Sequence, residues 1–277
     1  MKYKTTKFMA KSSHYDKEAA DFAVMFIEQL KHTKGEFYNT PFKLLSWQEQ
    51  VIRDIFGVLK PDGYRQFTTA YVEIPKKQGK SELAAAVALY MLCADGEQRA
   101  EVYGCAADRE QSSLVFDVAC DMVRLCPALE KRCNIRPSRK TIQYVPTNSS
   151  YKALSAEVEG KSGVSVSALI FDELWVQRDR KFYDMMTAGT SDARTNPLHF
   201  IITTAGTDTN SICYELHQKA VDILEGRKHD PAFYPVIYGA DAHRPDRVSN
   251  PKAQLIAENL AKKYNLNVIE TVELRKL

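Results

Sequence analysis

One segment organises this chain: Tyr71-Val72-Glu73-Ile74-Pro75-Lys76-Lys77-Gln78-Gly79-Lys80-Ser81. An apolar, partly β-branched run at residues 67–74 leads into a short loop, and a helix-favouring run at residues 82–89 follows the final serine. A strand, a loop and a helix start therefore follow one another directly. This layout gathers backbone N–H groups, the positive end of a helix dipole and a lysine around one point, which suits a polyphosphate.

The end of this segment carries the residue types that hold a nucleotide. Gly79 lets the backbone approach closely, Lys80 reaches the β- and γ-phosphates, and the Ser81 hydroxyl is a ligand for Mg²⁺. The pattern departs from the usual phosphate loop, because Ile74 stands where the first glycine is expected and Pro75 follows it. The alternative is a surface turn with a solvated pair of lysines, and the rest of the chain has to decide between the two.

The composition is that of a globular protein and indicates no particular partner. The chain has 277 residues, 44% of them hydrophobic, with 38 basic and 35 acidic side chains. Because the charge is nearly balanced, any DNA contact has to come from a local basic face. No run approaches the ~18 apolar residues that span a bilayer, and no secretory signal is visible at the amino terminus.

The cysteine pattern favours buried reduced thiols in a cytosolic protein. The six cysteines form no C-x-x-C pair, and most have apolar neighbours: Cys93, Cys105, Cys120, Cys126, Cys133 and Cys213. The alternative is a zinc site through three of them, Cys120, Cys126 and Cys133.

Before the phosphate-loop segment, the chain begins with a basic, polar arm at residues 1–13 and a helix. Apolar positions at helical spacing predict a helix from Asp16 to Lys31, with Ser12 or Ser13 as its cap. Gly35 is expected to end this part of the chain.

A second helix, ending at about residue 59, carries a candidate nucleotide contact. Ser46 is predicted to cap it, with Glu49 on the third helical position as in a capping box. Gln48 can donate and accept hydrogen bonds at once, which suits the edge of adenine. The Trp47 ring beside it can pack on a base. The alternative is an amphipathic helix whose tryptophan belongs to the core.

A later segment ends in two adjacent carboxylates: Ala168-Leu169-Ile170-Phe171-Asp172-Glu173. In a parallel sheet, the carboxyl ends of the strands form the ligand crevice. There Asp172 can hold Mg²⁺ through water, and Glu173, on the other side, can polarise the attacking water. An apolar run that ends in acidic residues is a weak signal alone. Beside the Gly-Lys-Ser segment, however, it supplies the metal-binding and water-polarising carboxylates that nucleotide hydrolysis requires. The two segments together predict nucleotide hydrolysis.

The remaining pattern alternates strands and helices, which predicts an α/β protein. Strands are expected at residues 101–107, 141–145, 151–155, 197–206 and 233–238, and helices at 109–125 (capped by Asp108), 182–188, 211–225 and 252–263. Thr203 and Thr204 end a strand expected beside the carboxylates. Their hydroxyls can sense the γ-phosphate or its water, and a plain core strand is the alternative.

In this order, the segments resemble the large terminase subunit of tailed bacteriophages, in its N-terminal ATPase domain. The resemblance covers about residues 40–240 and rests on Trp-Gln, Pro-Lys-Lys-Gln-Gly-Lys-Ser, Ala-Ala-Asp-Arg-Glu-Gln, Phe-Asp-Glu and Ile-Thr-Thr-Ala-Gly. The most specific element is the Thr-Thr-Ala-Gly of residues 203–206. The resemblance implies an α/β phosphate-loop NTPase fold of the ASCE type, with a mostly parallel central sheet flanked by helices.

The resemblance also implies a role for each matching residue, with ATP and Mg²⁺ as cofactors. Nucleotide contacts would come from Trp47, Gln48, Pro75, Lys76, Lys77, Gln78, Gly79, Lys80 and Ser81. Ser81 and Asp172 would hold the metal, and Glu173 would activate water.

Three further roles follow from the family. Lys80 and Lys76 would assist at the γ-phosphate. Thr203, Thr204 and Gly206 match the element that links hydrolysis to movement. A basic residue before the carboxylate strand acts across subunits in such ring motors, and Lys161 is the candidate here; a solvated loop lysine is the alternative.

The function that the resemblance implies is ATP-driven translocation of double-stranded DNA into a phage procapsid. The implied partners are DNA, the portal protein, the small terminase subunit and other copies of the chain in a ring, all in the host cytoplasm. We expect an arm and helix at residues 1–40, the ATPase domain at 41–240, and a linker and helix at 241–277. No nuclease domain is expected. A helicase-like translocase and a non-catalytic nucleotide-binding scaffold are the alternatives.

Overall fold

The structure, a computed structural model, describes residues 3–156, 165–177, 180–188 and 194–238. Its strands are β1 (His14–Tyr15), β2 (Val58–Leu59), β3 (Thr69–Glu73), β4 (Glu101–Ala106), β5 (Cys133–Arg136), β6 (Thr141–Tyr144), β7 (Ser149–Ser155), β8 (Ala168–Asp172), β9 (Leu198–Thr203) and β10 (Phe233–Ile237). Its α-helices are α1 (Lys17–Gln29), α2 (Ser46–Gly57), α3 (Lys80–Cys93), α4 (Arg109–Arg124), α5 (Pro127–Glu130), α6 (Lys181–Ala188) and α7 (Ile212–Leu224). The predicted helix at 252–263 lies outside the described residues.

Strands β3 to β10 form one sheet in the order β10-β3-β9-β8-β4-β7-β6-β5. Neighbours from β10 through β7 are parallel, and β6 and β5 extend that edge in antiparallel fashion. Parallel strands need long crossover connections, and most of these carry helices that cover the sheet. The predicted α/β class with a mostly parallel sheet is confirmed.

Strand β9 lies between the strand that leads into the Gly-Lys-Ser loop and the strand that ends in the carboxylates. Glu73 of β3 pairs with Thr203 of β9, and Asp172 of β8 pairs with Ile202 of β9. An additional strand at this position is the arrangement that the ASCE type requires. The carboxyl ends of three neighbouring strands therefore face the same crevice.

Helix α3, which follows the loop, is buried on every side. Its residues from Leu83 to Leu92 are all buried, and four of them are alanines. It packs on β8, α1 and α4. Small side chains let these neighbours approach closely, so the helix has no solvent face and no amphipathic pattern.

The two faces of the sheet carry separate apolar cores. Helices α1 to α4 cover one face, where the fully buried aromatic side chains include Phe67, Phe116, Tyr151 and Phe200. Helices α6 and α7 cover the other face, with Tyr71, Phe171 and Phe233 among the fully buried side chains. Packing against helices on both faces fixes the positions of the strands, and therefore of their carboxyl ends, relative to one another.

Of the elements that the structure describes, helices cover one face of the antiparallel edge of the sheet. Ile142 and Tyr151 point towards α3 and α4 and are buried. On the opposite face, Arg136 pairs across the strands with Thr141, which in turn pairs with Lys152. Arg136 is exposed and the other two are partly exposed. This edge therefore presents a polar, basic face.

Residues 3–13, predicted as an arm, are tied to the domain. The Tyr3 hydroxyl donates to Asp54, and the Ala10 N–H donates to Gln66 Oε1 at 2.8 Å. The prediction that Ser12 or Ser13 caps α1 is wrong, because Asp16 is the cap and accepts from the Ala19 N–H at 3.0 Å.

The prediction that Ser46 caps α2 is also wrong. Ser46 is the first residue of the helix, and Leu45 precedes it as the N-cap. Leu45 has no polar side chain, so the turn is closed from inside the helix: Gln48 Oε1 accepts from the Leu45 N–H at 2.9 Å. The Glu49 side chain instead accepts from Arg53 at 2.7 Å.

All six cysteines are free thiols. Within the described ranges, no group of three or more His, Cys, Asp or Glu side chains could hold a metal ion. Among the helices described, none combines the length and the apolar character needed to cross a membrane.

Candidate nucleotide-binding site

The phosphate-loop segment turns from β3 into α3 through two residues in the left-handed region. Lys77 has φ +66° and Gly79 has φ +75°. Glycine accepts this conformation without the steric cost of a Cβ. A Cβ at Gly79 would lie 3.7 Å from Gln48 Nε2. Gly79 is exposed and Gln78 is buried, so the loop presents its backbone to the crevice.

Lys80 stands at the first position of α3, where the helix dipole already favours negative charge. Its side chain is buried, and its Nζ lies 3.2 Å from Glu173 Oε1 and 3.5 Å from the Pro75 carbonyl oxygen. The predicted lysine and the predicted catalytic carboxylate thus form an ion pair across the crevice, although they are 93 positions apart in the sequence.

A second contact across the crevice joins Ser81 to Asp172. The Ser81 hydroxyl donates to Asp172 Oδ2 at 2.9 Å. Asp172 Oδ1 is buried with no hydrogen-bond partner among the described residues. A buried carboxylate oxygen without a donor, beside a serine hydroxyl, fits a hard cation with oxygen ligands such as Mg²⁺. Burial raises the pKa of Asp172 to about 6, against the lowering effect of the Ser81 hydrogen bond.

Glu173 leaves the strand in a conformation that sequence alternation does not predict. Its φ and ψ are both +54°, in the left-handed region that few non-glycine residues adopt. The strand ends at Asp172, and the turn aims the Glu173 carboxylate back at Lys80. Backbone strain at such a position often accompanies a functional constraint.

The second carboxylate oxygen of Glu173 is held by three donors. Glu173 Oε2 accepts from Trp175 Nε1 at 2.8 Å, from the Thr204 N–H at 3.1 Å and from the Thr204 hydroxyl at 3.0 Å. Burial would raise the pKa of Glu173, but Lys80 and the Thr204 donors together lower it. The carboxylate is therefore ionised and fully engaged.

Trp175 is a site residue that the sequence reasoning missed. Besides its bond to Glu173, its ring lies 5.6 Å from Lys76 Nζ, a cation–π distance. A Cβ at Gly206 would approach Trp175 Cβ to 3.1 Å, so the absence of a side chain at Gly206 leaves room for this ring. The one signal for Trp175 in the sequence is its position, two residues after the paired acids Asp172 and Glu173.

The two threonines at the end of β9 have different surroundings. The buried Thr203 hydroxyl accepts from the Trp175 N–H at 3.4 Å and donates to the Thr204 carbonyl at 3.0 Å. It also lies 4.0 Å from Cys213 Sγ on α7. Thr204 alone reaches Glu173 directly. Thr204 is therefore part of the site, whereas the Thr203 hydroxyl stabilises the turn that follows Glu173.

On the adenine side, Gln48 and Trp47 lie in different environments. Gln48 is buried, its Oε1 is occupied by Leu45, and its Nε2 faces Gly79. Trp47 is also buried, and its ring meets Tyr238 edge-on at 5.9 Å. The core interpretation is therefore favoured for Trp47, while Gln48 keeps an amide N–H group directed at the loop.

The other predicted site residues lie at the edge of the site or outside the described residues. Lys76 and Lys77 are exposed in the loop, and Pro75 is partly exposed. Lys161 falls in the 157–164 gap and lies outside the described residues.

Behind the loop, a buried network that the sequence did not reveal links β3 to α7. Glu73 Oε2 accepts from the Tyr71 hydroxyl at 2.7 Å and contacts His217 Nδ1 at 2.9 Å. The hydrogen bond with Glu73 raises the pKa of His217. This network fixes the last residue of β3 immediately before the loop.

The sheet order, the loop conformation and the convergence of Lys80, Ser81, Asp172 and Glu173 define a phosphate-loop NTPase of the ASCE type. The family model "Terminase large subunit, ATPase domain" matches residues 46–221. The chain belongs to this family.

Similarity to one protein sequence and to two solved structures supports this assignment. The large terminase subunit of Enterobacteria phage HK97 is 32% identical over 174 residues, which is 62% of this chain and 33% of that protein. A crystal structure of the HK97 large terminase matches with a TM-score of 0.70 and 29% identity, covering 87% of this chain and 48% of that one. The ATPase domain of the Thermus phage P74-26 large terminase shares the fold, with a TM-score of 0.57, 13% identity, and 80% and 88% coverage. The chain spans between a third and a half of the length of the HK97 protein.

Proposed function

We propose that this chain hydrolyses ATP and couples the hydrolysis to the movement of double-stranded DNA into a phage procapsid. The observation that carries the proposal is the convergence at one crevice of Lys80 on Glu173 and of Ser81 on Asp172. Membership of the terminase ATPase family supports the DNA substrate. The matching family model is that of the ATPase domain, which is the part of the motor that the proposed reaction concerns.

The site supports hydrolysis by positioning and by charge neutralisation. Backbone N–H groups of the loop and the Lys80 ammonium would hold the β- and γ-phosphates. The Ser81 hydroxyl and Asp172 would hold Mg²⁺, which neutralises phosphate charge when bound. Glu173 would orient the attacking water once its ion pair with Lys80 is exchanged for the nucleotide. Gln48, facing Gly79, would contact the nucleotide from the other side.

The family relationship also supports a set of partners. We propose that the chain acts in the host cytoplasm as part of a ring of identical copies, with the portal protein and the small terminase subunit as partners. In such a ring, Lys161 would serve the site of a neighbouring copy. Thr204, which already contacts Glu173, would transmit the state of the nucleotide to the rest of the motor.

The test is release of inorganic phosphate from ATP with Mg²⁺, for the wild-type protein and two variants. Glu173→Gln should retain ATP binding and lose about 10² to 10³ in kcat, as when one preorganised group at a reaction centre is removed. Lys80→Ala should lose hydrolysis and also bind ATP more weakly. Lys11→Ala, a change at an exposed lysine outside the site, is the control.

Two outcomes would contradict the proposal in different ways. Equal, near-zero phosphate release from wild-type and Glu173→Gln proteins would leave only a nucleotide-binding scaffold. ATP-driven unwinding of duplex DNA, with no requirement for procapsids, would instead favour a helicase-like translocase.

A further inference from the structure

A basic groove lies on the open face of the antiparallel sheet edge, away from the nucleotide site. It has a volume of about 670 Å³ and a predominantly polar lining. Its positively charged side chains come from the segments just before β4 and β9, from the β5–β6 hairpin and from the middle of β7: Arg99, Arg194, Arg136, Arg139 and Lys152. Among the lining residues that the structure describes, Glu101 carries the single carboxylate.

Most of these positive charges have no ion-pair partner among the residues that the structure describes. Arg194 pairs with Glu97 at 2.9 Å. Within the described part of the chain, the other four basic side chains make no ion pair, and Arg99, Arg136 and Arg139 are exposed. The whole chain carries a formal net charge of only +3. Four unpaired cations around one groove therefore concentrate positive potential on this face, which favours a polyanion.

The lining indicates which polyanion fits. It contains arginine, lysine, serine, threonine, asparagine and glutamine side chains, the groups that contact phosphate and sugar oxygens. None of the described lining residues is aromatic, whereas proteins that bind single strands stack the exposed bases on aromatic rings. The chemistry fits the phosphate backbone of a duplex, read without regard to its sequence.

The location separates this surface from ATP hydrolysis. The groove lies at the amino ends of β4 and β7, whereas Asp172 ends β8, which runs parallel to β4. Strands of five or six residues separate the two ends by roughly 15–20 Å. A duplex in the groove would leave the nucleotide site open, as a motor that binds both ligands together requires.

We propose that this groove binds the sugar–phosphate backbone of double-stranded DNA through Arg136, Arg139 and Lys152. The proposal rests on the proposed function, because it names the surface through which the motor holds its substrate. Arg99 adds to the positive electrostatic potential of the groove. Its backbone is left-handed and its carbonyl accepts from Arg194, so it is the less suitable position to mutate.

The test measures duplex DNA binding by fluorescence anisotropy at salt concentrations between about 50 and 200 mM. The variant Arg136→Ala/Arg139→Ala/Lys152→Ala should bind at least about tenfold more weakly, since phosphate contacts supply most of sequence-independent affinity. The slope of log affinity against log salt should fall by about one unit for each phosphate that the variant no longer neutralises. Duplexes of unrelated sequence should give the same result.

Two further variants keep the test specific. Arg136→Lys/Arg139→Lys/Lys152→Arg preserves the charge and should retain most of the affinity. Lys11→Ala/Lys43→Ala/Lys228→Ala removes three exposed lysines elsewhere and should retain the wild-type slope. The thermal unfolding midpoint of each variant, compared with wild type, shows that its fold is intact.

The outcomes separate this proposal from the proposed function. If the wild-type protein binds duplex and the groove variant binds it equally well with the same salt slope, the groove is not the DNA surface, while the motor function stands. If the wild-type protein binds no duplex at low salt, the translocation proposal fails and the groove assignment fails with it.

Discussion

The Glu173 carboxylate is the residue on which the chemistry of the site converges. All of its described donors, from Lys80, Trp175 and Thr204, favour the charged form, and its pKa is lowered despite its burial. A carboxylate whose oxygens are all engaged is a weak base. Under the proposed function, Glu173 could activate water only if at least one of these bonds were exchanged, and Lys80 is the donor that a γ-phosphate would take over.

A matched pair at Thr204 tests this interpretation. Thr204→Val removes the hydroxyl donor to Glu173 and leaves the backbone N–H in place. We expect the pKa of Glu173 to rise towards its ordinary value, so the acid limb of the kcat–pH profile should move to higher pH. We also expect kcat to fall by about tenfold, which corresponds to a rise of about 1.4 kcal/mol in the activation free energy.

Thr204→Ser retains both donors and serves as the control for the Thr204→Val profile. The interpretation is wrong if the two variants give superimposable pH profiles.

At the scale of the secondary-structure element, the start of α2 and the phosphate loop are linked through one side chain. Gln48 closes the first turn of α2 with its Oε1 and faces Gly79 with its Nε2. The amide oxygen therefore caps the helix, and the amide nitrogen at the other end of the same group is the one that would contact the nucleotide under the proposed function.

Two substitutions separate these functions. Gln48→Glu keeps an acceptor for the Leu45 N–H but removes the amide donor facing the loop. It should retain most of the stability and bind ATP more weakly. Gln48→Ala removes both groups and should also cost about 1 kcal/mol of unfolding free energy, a typical value for removal of a helix cap. Urea unfolding and ATP titration measure the two effects.

Stability losses of the same size in both variants would show that the Gln48 amide oxygen does not cap the helix.

At the scale of the whole molecule, one buried ion pair joins three segments that are distant in the sequence. Arg65, before β3, donates to Asp95 after α3 and to the Asn196 carbonyl before β9. Both charged side chains are almost fully buried. Breaking such a pair from one side leaves an uncompensated charge, which costs about 3–5 kcal/mol.

Arg65→Met should therefore destabilise the protein by about that amount. The double variant Arg65→Met/Asp95→Leu removes both charges and should recover most of the loss. Denaturant unfolding of the wild type and the two variants measures the recovery. A double variant no more stable than Arg65→Met would show that the carbonyl contact, rather than the ion pair, dominates.

Much of the sheet could be predicted because its strands are apolar runs that end in recognisable chemistry. The strands ending at Glu73, Asp172 and Thr203 all lie within the predicted segments. Strand β5 was not predicted, since Cys133–Arg136 is only four residues long and lies within a charged connection. Its pairing with β6 depends on tertiary context, which outweighs local preference in short strands.

The site was predictable in its residues and less so in its contacts. The convergence of Lys80, Ser81, Asp172 and Glu173 follows from motif chemistry and parallel topology. The left-handed turn at Glu173 and the bond from Trp175 do not, because each depends on how β8 and β9 end side by side. Capping was predicted wrongly at Ser46, because an amide three residues later competes successfully with a serine hydroxyl.

The complete burial of α3 determines which parts of the site move during a catalytic cycle. A helix whose residues from Leu83 to Leu92 are all buried cannot turn or slide without opening voids in the close-packed interior around it. Lys80 and Ser81 are therefore held in fixed positions at its start. We infer that any movement coupled to hydrolysis falls to less enclosed parts of the site, such as the exposed Trp175 beside Glu173.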